Sequence, residues 1–146
     1  AMNEVTWIVA ADGRQADVYE ERRRGGPLQR LAERALHAED SEQPKSRQRA
    51  TVHKRCGFGR HSAGDEDVVE LSEARFLERV SDALERWAKA GLYDQLVVMA
   101  PPRALGHLRR ALKSPAAERL VLTDNHDRVM LDVEALRRHL RTLRGQ

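Results

Sequence analysis

Gln95-Leu96-Val97-Val98-Met99-Ala100-Pro101-Pro102 is an almost continuous apolar run that halts at two prolines. A run this short and this uniformly apolar is what a strand covered on both faces requires, and prolines, which lack an amide hydrogen, end it. Such a strand belongs in the middle of a sheet, with helices above and below. The flanks supply those helices. Upstream, Phe76, Leu77, Val80, Leu84, Trp87 and Ala88 recur at three- and four-residue spacings, and Gly91 is placed to stop a helix. Downstream, Leu105, Leu108 and Leu112 mark a short helix, Arg119-Leu120-Val121-Leu122 a further strand, and Val133, Leu136, Leu140 and Leu143 the stripe of a last helix. Arg137, Arg138, Arg141 and Arg144 are expected on the outer face of that helix.

Towards the N-terminus, Thr6-Trp7-Ile8-Val9-Ala10-Ala11 is a short β-rich run, and Gln15 to Glu20 alternates Ala16, Val18 and Glu20 against Asp17 and Tyr19. The Asp12-Gly13 pair between them predicts a hairpin whose two central residues have positive φ. Gly25-Gly26-Pro27 makes a second turn, after which Leu28 to Ala35 returns as a third strand or, on the rival reading, a helix. Three hairpin-linked strands followed by helix, strand, helix, strand, helix is the order of a ribonuclease H-like α/β fold. It predicts a mixed five-stranded sheet with helices on both faces.

The chain has 146 residues, 40% of them hydrophobic and 4% aromatic, which predicts one domain over residues 2–146 with a mostly aliphatic core. Met2 is the expected natural start, with Ala1 an added residue. No apolar run reaches the length of a membrane span, and no basic region leads into an apolar one at the N-terminus, so the expected location is cytoplasmic, with no membrane partner. The single cysteine, Cys56, cannot form an internal disulfide. Oligomeric state is not readable at this level.

From about residue 37 to 67 no periodicity appears, and a long stretch of that kind inside a compact domain is usually functional or disordered. Within it, Gln43 to Gly64 holds six Lys or Arg residues, two His and no acid. The whole chain carries +3, so with +6 in this segment the remainder carries −3. Cationic groups concentrated in this way attract a polyanion by releasing its condensed counterions, and RNA is the first candidate. Lys45, Arg47, Arg49, Lys54, Arg55 and Arg60 would meet phosphates, His53 and His61 would add contacts, and Phe58 would either stack on an unpaired base or anchor the loop to the domain. The spacing Gly57-Phe58-Gly59 lacks the setting of a phosphate loop. Asp65-Glu66-Asp67 close the basic run a few residues before the first long helix.

Clustered carboxylates would be needed for a two-metal nuclease. Asp12, Asp124 and Asp127 are weak candidates for metal ligands, since Asp12 stands where a hairpin wants an aspartate and the other two flank Asn125 and His126 in a turn-forming stretch. No cofactor and no catalytic residue are assigned.

Several pieces of the chain match a known family: Trp7-Ile8-Val9-Ala10-Ala11-Asp12-Gly13, Gly25-Gly26-Pro27-Leu28, Gly59-Arg60-His61, Ala74-Arg75-Phe76, and Val97-Val98-Met99-Ala100-Pro101-Pro102-Arg103-Ala104-Leu105-Gly106. Through them the chain resembles, over nearly its full length, the bacterial family named for proteins required for attachment to host cells. That family is in turn distantly similar to the middle domain of archaeal and eukaryotic class-one peptide release factors. There, a Gly-Gly-Gln tripeptide on the long loop positions a water at the peptidyl-tRNA ester. The matching place here resembles Ala63-Gly64-Asp65, without one glycine and the glutamine. An ionised aspartate offers only acceptors where the amide offers donor and acceptor together, which argues against release activity. The resemblance and the charge together imply a non-enzymatic RNA-binding or ribosome-associated module. The alternatives are a protein-interaction factor in a host-attachment or surface pathway and, third, a metal-dependent hydrolase.

Overall fold

The computed structural model describes residues 4–39 and 61–146, with side chains of the second span described from Val68 onward. Its elements, in chain order, are strands β1 (Thr6–Ala11), β2 (Gln15–Glu21) and β3 (Leu28–Arg30), a 3-10 turn (Ala32–Arg34), and strand β4 (Leu36–His37). Helix α1 (His61–Lys89), β5 (Gln95–Met99), α2 (Pro102–Ala111), α3 (Ala116–Arg119), β6 (Leu120–Asp124) and α4 (Val133–Leu143) follow. The open sheet runs β3-β2-β1-β5-β6, with the two-residue β4 also on β2. β1 pairs antiparallel with β2 and parallel with β5, and β5 pairs parallel with β6. This is the mixed ribonuclease H-like sheet expected, with β1 and β5 central and every residue of β1 buried.

The strand period of two divides the core. Trp7, Val9, Val18, Leu96 and Val98 face α1 and α2, where Phe76, Leu77, Val80, Leu84 and Leu108 meet them. Ile8, Ala10, Tyr19, Val97 and Met99 face α4 through Leu136 and Leu140. The first face holds an aromatic group. The Trp7 ring lies 5.7 Å from Trp87 at 65° and 5.1 Å from Tyr93, and the Arg34 guanidinium sits 5.8 Å and 5.3 Å from the two indole centroids. Helix α1 ends where Gly91, at φ +74°, lets the Gly91 and Leu92 amides turn back onto the Ala88 and Trp87 carbonyls.

Four local expectations are corrected. The sheet has six strands among the described residues, because the run expected as one strand from Leu28 to Ala35 breaks into β3, the 3-10 turn and β4. The β1–β2 turn has no positive φ at Asp12 or Gly13. Instead, the Asp12 carboxylate accepts the Arg14 and Gln15 amides at 2.8 and 2.9 Å, so a side chain rather than a left-handed backbone makes the turn. Helix α1 begins at His61, so Asp65-Glu66-Asp67 lie within it rather than before it, and the irregular stretch is shorter than 37–67. Finally, Arg144 is not on an outer face. Its side chain is 3% exposed and grips Glu21, itself 1% exposed, through two hydrogen bonds of 2.8 and 2.7 Å. Arg137, likewise partly covered, donates to the Gly25 carbonyl at 2.8 Å.

Candidate functional site

Because β1, β5 and β6 are parallel, their carboxyl ends form one edge of the sheet. In open α/β sheets that edge is where ligands are bound. Three parts of this molecule meet there. The first is the pair of chain passages on either side of the segment 40–60. On the leaving side, the Ala38 amide donates to the Arg14 carbonyl at 2.7 Å beside the β1–β2 turn, and Arg79 of α1 bonds the His37 carbonyl and pairs with Glu39 at 3.5 Å. On the returning side, α1 passes the same turn at Glu73, whose side chain fills the space beside Gly13 and lies 4.0 Å from Arg103. From Glu73 back to His61 the helix has another twelve residues, about 18 Å at 1.5 Å per residue.

The second part is a buried acid. Asp124, the last residue of β6, is 8% exposed and accepts His126 Nδ1 at 2.7 Å and Arg128 Nε at 3.0 Å. Burial pushes its carboxyl up, but the hydrogen bonds and charges of His126 and Arg128 outweigh it and hold the group below the ordinary carboxylate value. The ionised carboxylate accepts a hydrogen bond from Nδ1–H, which leaves Nε2 as the open nitrogen of a ring that is 63% exposed.

The third part is a cleft of about 620 Å³ beside that acid. Pro102, Leu105, Gly106 and Arg109 of α2 form one wall, Thr123 to His126 another, and Leu143 of α4 borders it. Arg109 is exposed and no described residue is paired with its guanidinium.

The residues expected to meet RNA divide accordingly. Lys45, Arg47, Arg49, His53, Lys54, Arg55, Phe58 and Arg60 lie outside the described residues, and His61 starts α1 with its side chain outside them. The weak metal candidates are each engaged locally: Asp12 by its turn, Asp124 by His126 and Arg128, and Asp127 by the Val129 amide at 3.0 Å. Among the described residues no three His, Cys, Asp or Glu side chains gather as a metal site would. No described helix is long and apolar enough to cross a membrane. The cleft itself went unread in the sequence, since its walls come from three separate elements. The Asp124-Asn125-His126 spacing was its one local signal.

Among solved structures, the chain is similar to an archaeal translation termination factor, aRF1, at 15% identity and a TM-score of 0.48. That alignment covers 98% of this chain and 40% of the other. No curated protein matches it significantly. Residues 7–140 match the family described as "Protein required for attachment to host cells", and the chain belongs to that family.

Proposed function

We propose that this protein is a non-enzymatic RNA-binding module, associating with structured RNA or the ribosome through the segment Gln43–Gly64. The observation that carries this reading is the confinement of charge: +6 lies in that segment against −3 in the rest of the chain. The chain leaves for this segment from the carboxyl edge of the sheet, the edge from which an α/β platform meets its ligands. Residues 2–146 act as one unit in this reading, with the sheet as a rigid base and Lys45, Arg47, Arg49, Lys54, Arg55 and Arg60 as phosphate contacts. Contacts of this type weaken steeply with salt, because each neutralised phosphate releases counterions.

The test is cosedimentation with ribosomes from a native lysate at low and raised salt, comparing the natural chain with Arg47, Arg49, Lys54 and Arg55 all changed to Glu. Salt-sensitive comigration that the four substitutions abolish is expected. Comigration surviving the substitutions, or none even at low salt, overturns the reading. Membership of a family described by attachment to host cells favours a second reading, a protein-interaction factor in an attachment pathway. Pull-down from ribonuclease-treated lysate separates the two, because partners retained after RNA is destroyed belong to the second.

A further inference from the structure

We propose that the cleft between α2 and the end of β6 is a binding site for a small phosphate monoester of nucleoside monophosphate size, independent of the segment 40–60. Its volume, about 620 Å³, falls in the range of pockets that enclose ligands of that size. Its position, at the carboxyl ends of parallel β5 and β6, is the one an open sheet offers to a ligand.

The charges select an anion. Arg109 presents a guanidinium from α2 with no described carboxylate to occupy it, and a guanidinium matches two phosphate oxygens at once. Across the cleft, His126 is pinned by its Nδ1–H to Asp124, so its Nε2, which donates to a phosphate oxygen when the ring is protonated, is oriented without further ordering. The one acid of the lining, Asp124, does not repel the ligand, because Arg128 and His126 already answer its charge. Thr123 and Asn125 add neutral hydrogen-bonding groups, and Leu105 and Leu143 give the sugar and base an apolar border.

Gly106 points the same way. It lies inside α2, where glycine is less favourable than alanine, and its φ is not positive. A Cβ there would meet only the end of the flexible Arg110 side chain, at 3.3 Å. Neither backbone nor packing therefore demands glycine at this position. What its missing side chain does is leave a bare patch of helix in the cleft wall, where a ligand can approach closely.

The experiment is calorimetric titration of the full chain with AMP and, separately, inorganic phosphate, alongside amide NMR shifts. AMP is expected to bind more tightly than phosphate and to shift Gly106, Asn125 and His126. Arg109→Gln is expected to weaken it at least about tenfold through the lost bidentate pair. Gly106→Leu is expected to block it by filling the cleft while leaving thermal stability intact or raised. The Arg47, Arg49, Lys54 and Arg55 to Glu variant should bind AMP unchanged, so failure here and failure of the RNA reading are separate results. Absence of binding at millimolar AMP, phosphate binding as tightly as AMP, or binding undiminished by Arg109→Gln and Gly106→Leu overturns the proposal.

Discussion

At the amino edge of the sheet, Glu21 has both carboxylate oxygens taken by Arg144 and receives a third bond from the Gly25 amide at 3.0 Å. At the carboxyl edge, Asp124 divides itself between a partly covered arginine and a histidine that is largely in solvent. Both acids are buried and both are bound to arginine. The first is closed on every side and joins α4 to β2, so it locks the last helix across the sheet. The second keeps one side open to a cleft. A buried charge thus fixes the fold at one end of the strands and orients a site at the other, and the difference lies in whether the surrounding groups exhaust its hydrogen bonds.

The largest expected effect comes from opening the closed end. Arg144→Met leaves Glu21 buried without its counter-ion and should destabilise by about 3–5 kcal/mol, whereas adding Glu21→Leu to the same chain should restore much of that. Thermal melting of the single and double variants checks it. If the single variant melts like the natural chain, the lock is not there. At the open end, Asp124→Asn should remove about 1–3 kcal/mol near neutrality. The Asp124 carboxyl titrates lower folded than unfolded, so its ionised form contributes stability above the unfolded value, a contribution lost as pH falls through the folded one. The gap between the natural chain and Asp124→Asn should therefore narrow in acid, as denaturant midpoints measured across the acidic range will reveal.

Tyr93, buried just before β5, sharpens the contrast at the amino edge. Its hydroxyl donates to the Leu84 carbonyl at 2.7 Å, and burial above all pushes its pKa up to about 12, with Arg119 opposing and Glu85 reinforcing. Tyr93→Phe should lose about 1 kcal/mol. The raised value means that stability held by the neutral phenol is complete below the unfolded value near 10 and fades as pH rises towards about 12. Absorbance titration of phenolate formation, with and without Tyr93, reads this directly. The smallest effect belongs to His126→Ala: with an exposed ring, stability should move by no more than about 0.5 kcal/mol. The Asp124 carboxyl should nonetheless titrate higher for want of one donor, as side-chain carbon NMR would record.

What the sequence disclosed follows the range of the interactions. The apolar run at Leu96–Met99 and the helical spacing from Phe76 to Ala88 are local signals, and both elements stand where those signals place them. The Asp12-Gly13 pair marked a real hairpin, but the identity of the turn depended on a carboxylate reaching two amides, which a preference for left-handed residues does not encode. Arg144 was legible only as one more arginine on a helix, because its partner Glu21 is 123 residues away. The site was harder still. Arg109, Gly106 and His126 acquire a common role only once α2 is folded against the end of β6, and the basic segment showed its charge but not its shape.

The cluster of Trp7, Trp87 and Arg34 has an optical consequence. These are the chain's two tryptophans, inclined at 65° and only 5.7 Å apart, so their electronic transitions couple into a paired circular dichroism band that neither indole gives alone. The guanidinium above both rings belongs to the turn that leads into β4 and the segment beyond. Light absorbed by this cluster therefore reports whether β1, α1 and that turn are docked together, without any label being attached to the chain.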